Sequence, residues 1–164
     1  MNNTASLPQI MVAPNGARRN KSHHEAIPIS HSELVETAIA CQKAGADGIH
    51  LHIRDQNAQH LLDAEVYSEL LELVSSAVPE MYLQVTSEAA GKYCPAEQIE
   101  MMQKLQPANV SVALRELVPN DDGWSAANKF YRWAAGSNVS VQYIIYSQVE
   151  LELFIRALDV GHIP

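Results

Sequence analysis

Five short apolar segments alternate with five longer segments of helical periodicity, and this alternation constrains the fold more than any other feature of the chain. The predicted strands are residues 9–13, 48–54, 81–86, 109–115 and 139–146. The predicted helices are residues 32–43, 65–77, 96–105, 125–135 and 149–158. A helix after every strand is typical of parallel strands joined by crossover helices. The sequence therefore predicts an α/β fold.

Local signals at the predicted helix ends agree with this pattern. Ser30 and Glu33 have the spacing of a capping box, in which the two side chains satisfy free backbone N–H groups at the start of a helix. Gly45 stands where a left-handed residue would end that helix. Pro95 suits the first turn of the third helix, because its missing N–H would have no helical partner there.

Two parallel architectures accommodate five strands. A doubly wound sheet of the nucleotide-binding type would carry a glycine-rich phosphate loop after the first strand, and residues 14–18 contain none. A (β/α)8 TIM barrel typically needs about 250 residues, so 164 residues supply about the first five β/α units. Residues 161–164 have the character of a loop into a sixth strand. We therefore expect residues 1–164 to form a single domain that is an incomplete TIM barrel.

The composition excludes several classes of protein. A net charge of −8 argues against a nucleic-acid-binding or anionic membrane-binding surface. No segment approaches the ~20 consecutive apolar residues of a membrane helix, and the N-terminus lacks the pattern of a signal peptide. Two cysteines are too few for a disulfide framework in a chain of this length. We expect a cytoplasmic protein with reduced thiols.

The sharpest chemical signal is H-L-H-I-R-D at residues 50–55. Alternate strand residues share a face, so His50, His52 and Arg54 should project together. In a barrel they would point inward near the C-terminal ends of the strands, where such enzymes have their active sites. Two neutral imidazoles two residues apart suit a divalent metal, most often zinc. The alternative is a pair of hydrogen-bonded core histidines.

The turn after the first strand brings three cations together in an otherwise acidic chain. Of these, Arg18 is the best candidate to bind a carboxylate or phosphate through paired hydrogen bonds. Asn15 and Gly16 tolerate positive φ and fit a turn equally well. The alternative for this segment is a solvated basic loop.

Later strand ends offer further candidates. Gln84 and Thr86 should share the inward face of the third strand and could bind a substrate. Arg115 is predicted at the end of the fourth strand, where a guanidinium is costly unless it is paired or bound to an anion. Its alternative is a structural ion pair with Glu116 or an aspartate. We expect His60 to lie in a polar turn without a partner.

Four motifs together resemble the β-keto acid cleavage enzymes, also called the 3-keto-5-aminohexanoate cleavage family. They are A-P-N-G-A-R (residues 13–18), I-P-I-S (27–30), A-G-A-D-G-I-H-L-H-I-R-D (44–55) and Q-V-T-S-E-A (84–89). The resemblance implies a TIM barrel that binds zinc. It also implies a transferase that converts a β-keto acid and acetyl-CoA into acetoacetate and a new CoA thioester.

The same resemblance implies roles for individual residues. His50 and His52 would be two zinc ligands, and substrate would contact Thr86, Arg115 and the first-strand rim of Asn15, Gly16 and Arg18. The third zinc ligand would be a glutamate on a late strand beyond residue 164, together with the main catalytic groups, which leaves the catalytic residues unassigned. The aminohexanoate-cleaving members carry an acidic residue where Arg18 stands. The expected partners are the keto acid, acetyl-CoA and further copies of the chain in a homo-oligomer, with no nucleic acid and no membrane.

Two other functions fit the same residues. Zinc hydrolases of the amidohydrolase type also place H-x-H at a barrel strand end, although usually on the first strand. A shortened relative without catalysis could act as a binding or assembly module. If the chain is a truncated barrel, residues 1–164 alone should be inactive.

Overall fold

The computed structural model describes residues 7–164. The strands are β1 (Met11–Val12), β2 (Gly48–Leu51), β3 (Ile53–Arg54), β4 (His60–Leu61), β5 (Tyr82–Thr86), β6 (Asn109–Ala113) and β7 (Ser140–Ile144). The helices are α1 (His31–Lys43), α2 (Ala64–Ala77), α3 (Pro95–Leu105), α4 (Leu114–Leu117), α5 (Trp124–Gly136) and α6 (Gln148–Asp159), with a 3-10 turn at Asp121–Gly123.

The main sheet has five strands in the order β1-β2-β5-β6-β7, which is also their order along the chain. β1 pairs parallel with β2, and β6 pairs parallel with both β5 and β7. In a doubly wound sheet the strand order reverses at a switch point, whereas the strands of a (β/α)8 barrel follow one another in sequence. The α/β prediction is confirmed, and the chain supplies about the first five β/α units of the barrel fold.

Backbone contacts divide the chain into two compact units, so the single domain stays a prediction. Among the described residues, the first unit comprises residues 7–61 and 65–84, and the second comprises residues 62–64 and 85–164. No helix in the described part of the chain is long and apolar enough to cross a membrane.

In the first unit, α1 begins at the predicted capping box. The Ser30 hydroxyl accepts from the Glu33 N–H, and the Glu33 carboxylate accepts from the Ser30 N–H at 3.0 Å. After the helix, Gly45 has a φ of +100°, as predicted for a left-handed end. The buried apolar core of this unit includes Leu34, Ala38, Ile49, Leu51, Tyr67, Leu70 and Val74.

The predicted strand over residues 48–54 is present as two strands, interrupted at His52. β2 ends at Leu51, and β3 instead pairs antiparallel with β4 in a separate hairpin. Asp55 closes the intervening turn, because its carboxylate oxygen accepts from the N–H groups of Asn57 and Gln59, both at 2.9 Å. This aspartate-initiated turn reverses the chain between β3 and β4.

The second unit has a core that includes Met102, Val110, Val112, Phe130 and Tyr131. The fourth predicted strand, over residues 109–115, is two residues too long, because β6 ends at Ala113 and the chain turns directly into α4. The position of Arg115 therefore changes from a strand end to a short helix.

Candidate functional site

The structure brings His50 and His52 together at the end of β2. Their Nε2 atoms lie 3.0 Å apart, and the two rings meet edge to face with centroids 4.8 Å apart. His52 is only 3% exposed and His50 is partly buried. Two ring nitrogens that face one another across this distance can share a proton or can both bind one cation.

Gln84, in the same unit, forms a hydrogen bond with the His50 ring. Gln84, on β5, is 2% exposed, and its Oε1 lies 2.7 Å from Nδ1 of His50. By contrast, Nδ1 of His52 is buried without a hydrogen-bond partner among the described residues. The two histidines are therefore supported unequally.

Burial keeps both imidazoles neutral. It lowers the pKa of His52 to about 2, an effect strengthened by the neighbouring His50, His60 and Arg54. Burial also lowers the pKa of His50, and the hydrogen bond to Gln84 opposes part of this shift. The neutral ring is the form of histidine that binds metals.

His60 is a neighbour that the sequence analysis missed. It lies on β4, it is buried, and its ring centroid is 5.7 Å from that of His52. The expectation of a polar turn was wrong because the hairpin returns the chain to the histidine pair. The signal in the sequence is Asp55, whose turn-forming side chain five residues earlier indicates that reversal.

The histidine pair fits two ligand positions of a zinc site. Zinc–nitrogen bonds of about 2.0–2.1 Å in a tetrahedral site place two ligand nitrogens about 3.3 Å apart, close to the 3.0 Å between the Nε2 atoms. Across residues 7–164, no group of three or more histidine, cysteine, aspartate or glutamate side chains is arranged to hold a metal ion. The described residues thus offer two donors of the three that a catalytic zinc usually has.

The loop after β1 is attached to the histidine segment by buried polar contacts. Asn15 is buried, and its Nδ2 donates to the carbonyl oxygens of His52 at 2.8 Å and of Pro28 at 3.2 Å. The next residue, Gly16, has a φ of +56°, so the predicted turn with positive φ is present there.

Arg54 also forms hydrogen bonds with the backbone of this loop. Its Nη2 donates to the carbonyl oxygens of Gly16 and, at 3.3 Å, of Arg19. The charge of Arg54 also contributes to the lowered pKa of His52. The expectation that Arg54 projects with the two histidines stays a prediction. Arg18 lies exposed in the loop that these contacts hold.

In the second unit, Thr86 and Arg115 have different surroundings. Thr86 is buried, and its hydroxyl oxygen accepts from the N–H of Glu88 at 2.9 Å. The Arg115 side chain is 51% exposed, forms an ion pair with Glu150, and lies 4.3 Å over the ring of Tyr146. The ion-pair alternative thus holds with a different partner, since Glu116 instead accepts from the N–H of Ala89 at 2.8 Å. Substrate binding by Thr86 and Arg115 stays a prediction.

Comparison with known proteins points to one family. A family model described as beta-keto acid cleavage enzyme matches residues 9–164. The chain is 31% identical over 75 residues to the 3-keto-5-aminohexanoate cleavage enzyme of Fusobacterium nucleatum. That match covers 46% of this chain and 28% of the relative. It is 22% identical over 154 residues to the enzyme of the same name from Acetoanaerobium sticklandii. That match covers 90% of this chain and 56% of the relative. It is 30% identical over 104 residues to the 3-oxoadipate:acetyl-CoA acetyltransferase of Cupriavidus necator. That match covers 63% of this chain and 36% of the relative.

The chain thus matches 28% to 56% of the length of these relatives. Among solved structures, it resembles ObcA in its binary complex with oxaloacetate, with a TM-score of 0.65 and 13% identity. That match covers 83% of this chain and 34% of ObcA, and it establishes the fold.

Proposed function

The chain belongs to the beta-keto acid cleavage enzyme family, and from this premise we propose that it takes part in zinc-dependent β-keto acid cleavage. In this reaction a β-keto acid and acetyl-CoA give acetoacetate and a new acyl-CoA. Relatives whose names specify a keto acid cleavage or an acetyl-CoA acetyltransferase support the proposal. The same match favours this reaction over the zinc hydrolase alternative.

The convergence of the His50 and His52 Nε2 atoms, 3.0 Å apart, carries the proposal. The two rings would supply two zinc ligands, and the third would be a glutamate on a later strand, as the family resemblance implies. When bound, zinc would polarise the β-keto carbonyl as a Lewis acid. The buried surroundings of His52 keep its ring neutral and therefore able to bind the metal.

The loop after β1 would recognise the substrate. Asn15 and Arg54 fix its backbone, and Arg18 would bind an anionic group of the keto acid through its guanidinium. A keto acid with a second carboxylate, such as the 3-oxoadipate in the name of the Cupriavidus necator relative, fits this charge better than one with an ammonium group.

Metal binding and turnover test the proposal in the full-length protein. Zinc content should be about one ion per chain, and His50→Ala and His52→Ala should each remove most of it. His23→Ala, which changes an exposed loop histidine, is the matched control and should keep the metal. Acetoacetate formation from a panel of β-keto acids with acetyl-CoA is then measured. Full zinc retention in both variants, or a zinc-loaded protein that cleaves no keto acid, would contradict the proposal and favour a non-catalytic binding module.

A further inference from the structure

Gln84 is a buried polar residue that the proposed reaction has not yet used. Its side chain is enclosed at 2% exposure, where an amide must find hydrogen-bond partners inside the protein. Its oxygen lies 2.7 Å from Nδ1 of His50, the nitrogen on the side of the ring away from His52. This places Gln84 directly behind one of the two candidate zinc ligands.

The chemistry of this contact determines which nitrogen of His50 carries the proton. An amide oxygen only accepts hydrogen bonds, so Nδ1 of His50 must donate. In a neutral imidazole with a proton on Nδ1, Nε2 is left with a lone pair. That Nε2 is the atom that faces His52.

We propose that Gln84 is a positioning residue that holds His50 in the Nδ1–H tautomer and so presents its Nε2 lone pair before any metal binds. Ligating histidines usually donate their other ring N–H to such an outer partner, which fixes both tautomer and ring orientation. The part of this inference that concerns zinc rests on the proposed function. The part that concerns the tautomer rests on the Gln84–His50 contact alone.

His52 provides an internal contrast. Its Nδ1 has no hydrogen-bond partner among the described residues, so no acceptor there holds a proton on that nitrogen. With His50 Nε2 as the acceptor, the 3.0 Å contact between the rings is a hydrogen bond donated by His52 Nε2 when metal is absent. Of the two rings, only His50 therefore presents an Nε2 lone pair before any metal binds.

Three variants test the role of Gln84. Gln84→Met keeps the volume and removes the acceptor, whereas Gln84→Glu keeps an oxygen that can accept from Nδ1. Gln98→Met is the matched control, because Gln98 is another fully buried glutamine whose amide instead donates to the Ser87 carbonyl and the Glu116 carboxylate. If Gln84→Met does not fold, Gln84→Asn replaces it, since the shorter side chain withdraws the acceptor from Nδ1.

The first readout is the tautomer of each ring in metal-free, 15N-labelled protein, taken from long-range 1H–15N correlation spectra. His50 should be the Nδ1–H form in the wild type, in Gln84→Glu and in Gln98→Met. It should change mainly to the Nε2–H form in Gln84→Met. An unchanged His50 tautomer in Gln84→Met would overturn the inference.

The second readout is zinc affinity, measured by competition with a chromophoric chelator. Gln84→Met should weaken binding by about 10- to 100-fold, with Gln84→Glu and Gln98→Met close to the wild type. If the tautomer responds as expected but His50 and His52 bind no zinc in any form, the proposed function fails and the tautomer role of Gln84 stands. If zinc binds at the pair with equal affinity in Gln84→Met, the positioning role is overturned and the proposed function survives.

Discussion

At the scale of single residues, the proposed contact between Arg18 and the substrate leads to a prediction about substrate choice. Replacing Arg18 with glutamate removes a partner for an anionic tail and adds one for an ammonium group. We expect Arg18→Glu to change the ratio of kcat/KM between a dicarboxylic and an amino-bearing β-keto acid by at least about tenfold, toward the amino-bearing one. Arg19→Glu, at the adjacent exposed arginine, is the control and should leave the ratio unchanged. An unaltered ranking in Arg18→Glu would show that Arg18 only faces solvent.

Glu33 makes a pH-dependent contribution to stability at the same scale. The hydrogen bond from Lys21 is the largest cause that lowers the pKa of its carboxyl from 4.5 to about 2, followed by backbone N–H groups of Ser30 and Ile29. Because the folded pKa is the lower one, this contribution is present above pH 4.5 and is lost as the pH falls toward 2. In urea titrations, Glu33→Gln should lose less unfolding free energy over this interval than the wild type. Glu36→Gln, on the same helix, is the control. The expectation would be contradicted if the unfolding free energy of Glu33→Gln fell with pH as steeply as that of the wild type.

At the scale of elements, the capping box is the local device that starts α1. Ser30→Ala removes the hydroxyl acceptor of the Glu33 N–H and should lower the free energy of unfolding by about 1 kcal/mol. The measurement is urea denaturation followed by circular dichroism. Ser75→Ala is the comparison, since that exposed hydroxyl only donates back to the Glu72 carbonyl within α2. Equal effects of the two substitutions would show that the cap is dispensable.

The five predicted helices are present within one residue at each end, because amphipathic periodicity and caps are local signals. Features that depend on distant contacts were not predictable in this way. The alternation rule treated residues 48–54 as one parallel strand, whereas residues 53–54 pair antiparallel with β4. Arg115 found its partner in Glu150, which no local spacing indicates. The histidine pair was predictable because both residues belong to one strand segment.

At the scale of the whole molecule, residues 1–164 should show no cleavage activity on their own. Under the proposed function, the third zinc ligand and the main catalytic groups would lie on later strands, and the described residues offer no three-ligand cluster. Acetoacetate formation by residues 1–164, compared with the full-length protein at equal concentration, checks this. Activity in residues 1–164 alone would show that the missing groups are not required.

The terminal position of β7 in the sheet leads to a second prediction at this scale. β7 is at one end of the strand order, and it contains neither a charged residue nor proline to discourage pairing with another chain. We expect residues 1–164 to self-associate, and Gln142→Lys on β7 to reduce the association measured by light scattering. Gln148→Lys, at an exposed glutamine on α6, is the matched control. Monomeric wild-type protein would contradict the prediction.

The amide of Asn15 and the guanidinium of Arg54 join the first loop to the backbone that carries the histidines. If the loop recognises the substrate and the histidines bind zinc, as proposed, the two functions are mechanically coupled in this unit. A loop transplanted from a relative with a different substrate would then disturb the candidate metal ligands, unless it preserved the Asn15 amide and the carbonyl groups that accept from Arg54. Under the proposed function, a change of substrate preference would be confined to side chains that project from the loop, because Asn15 and Arg54 hold its backbone.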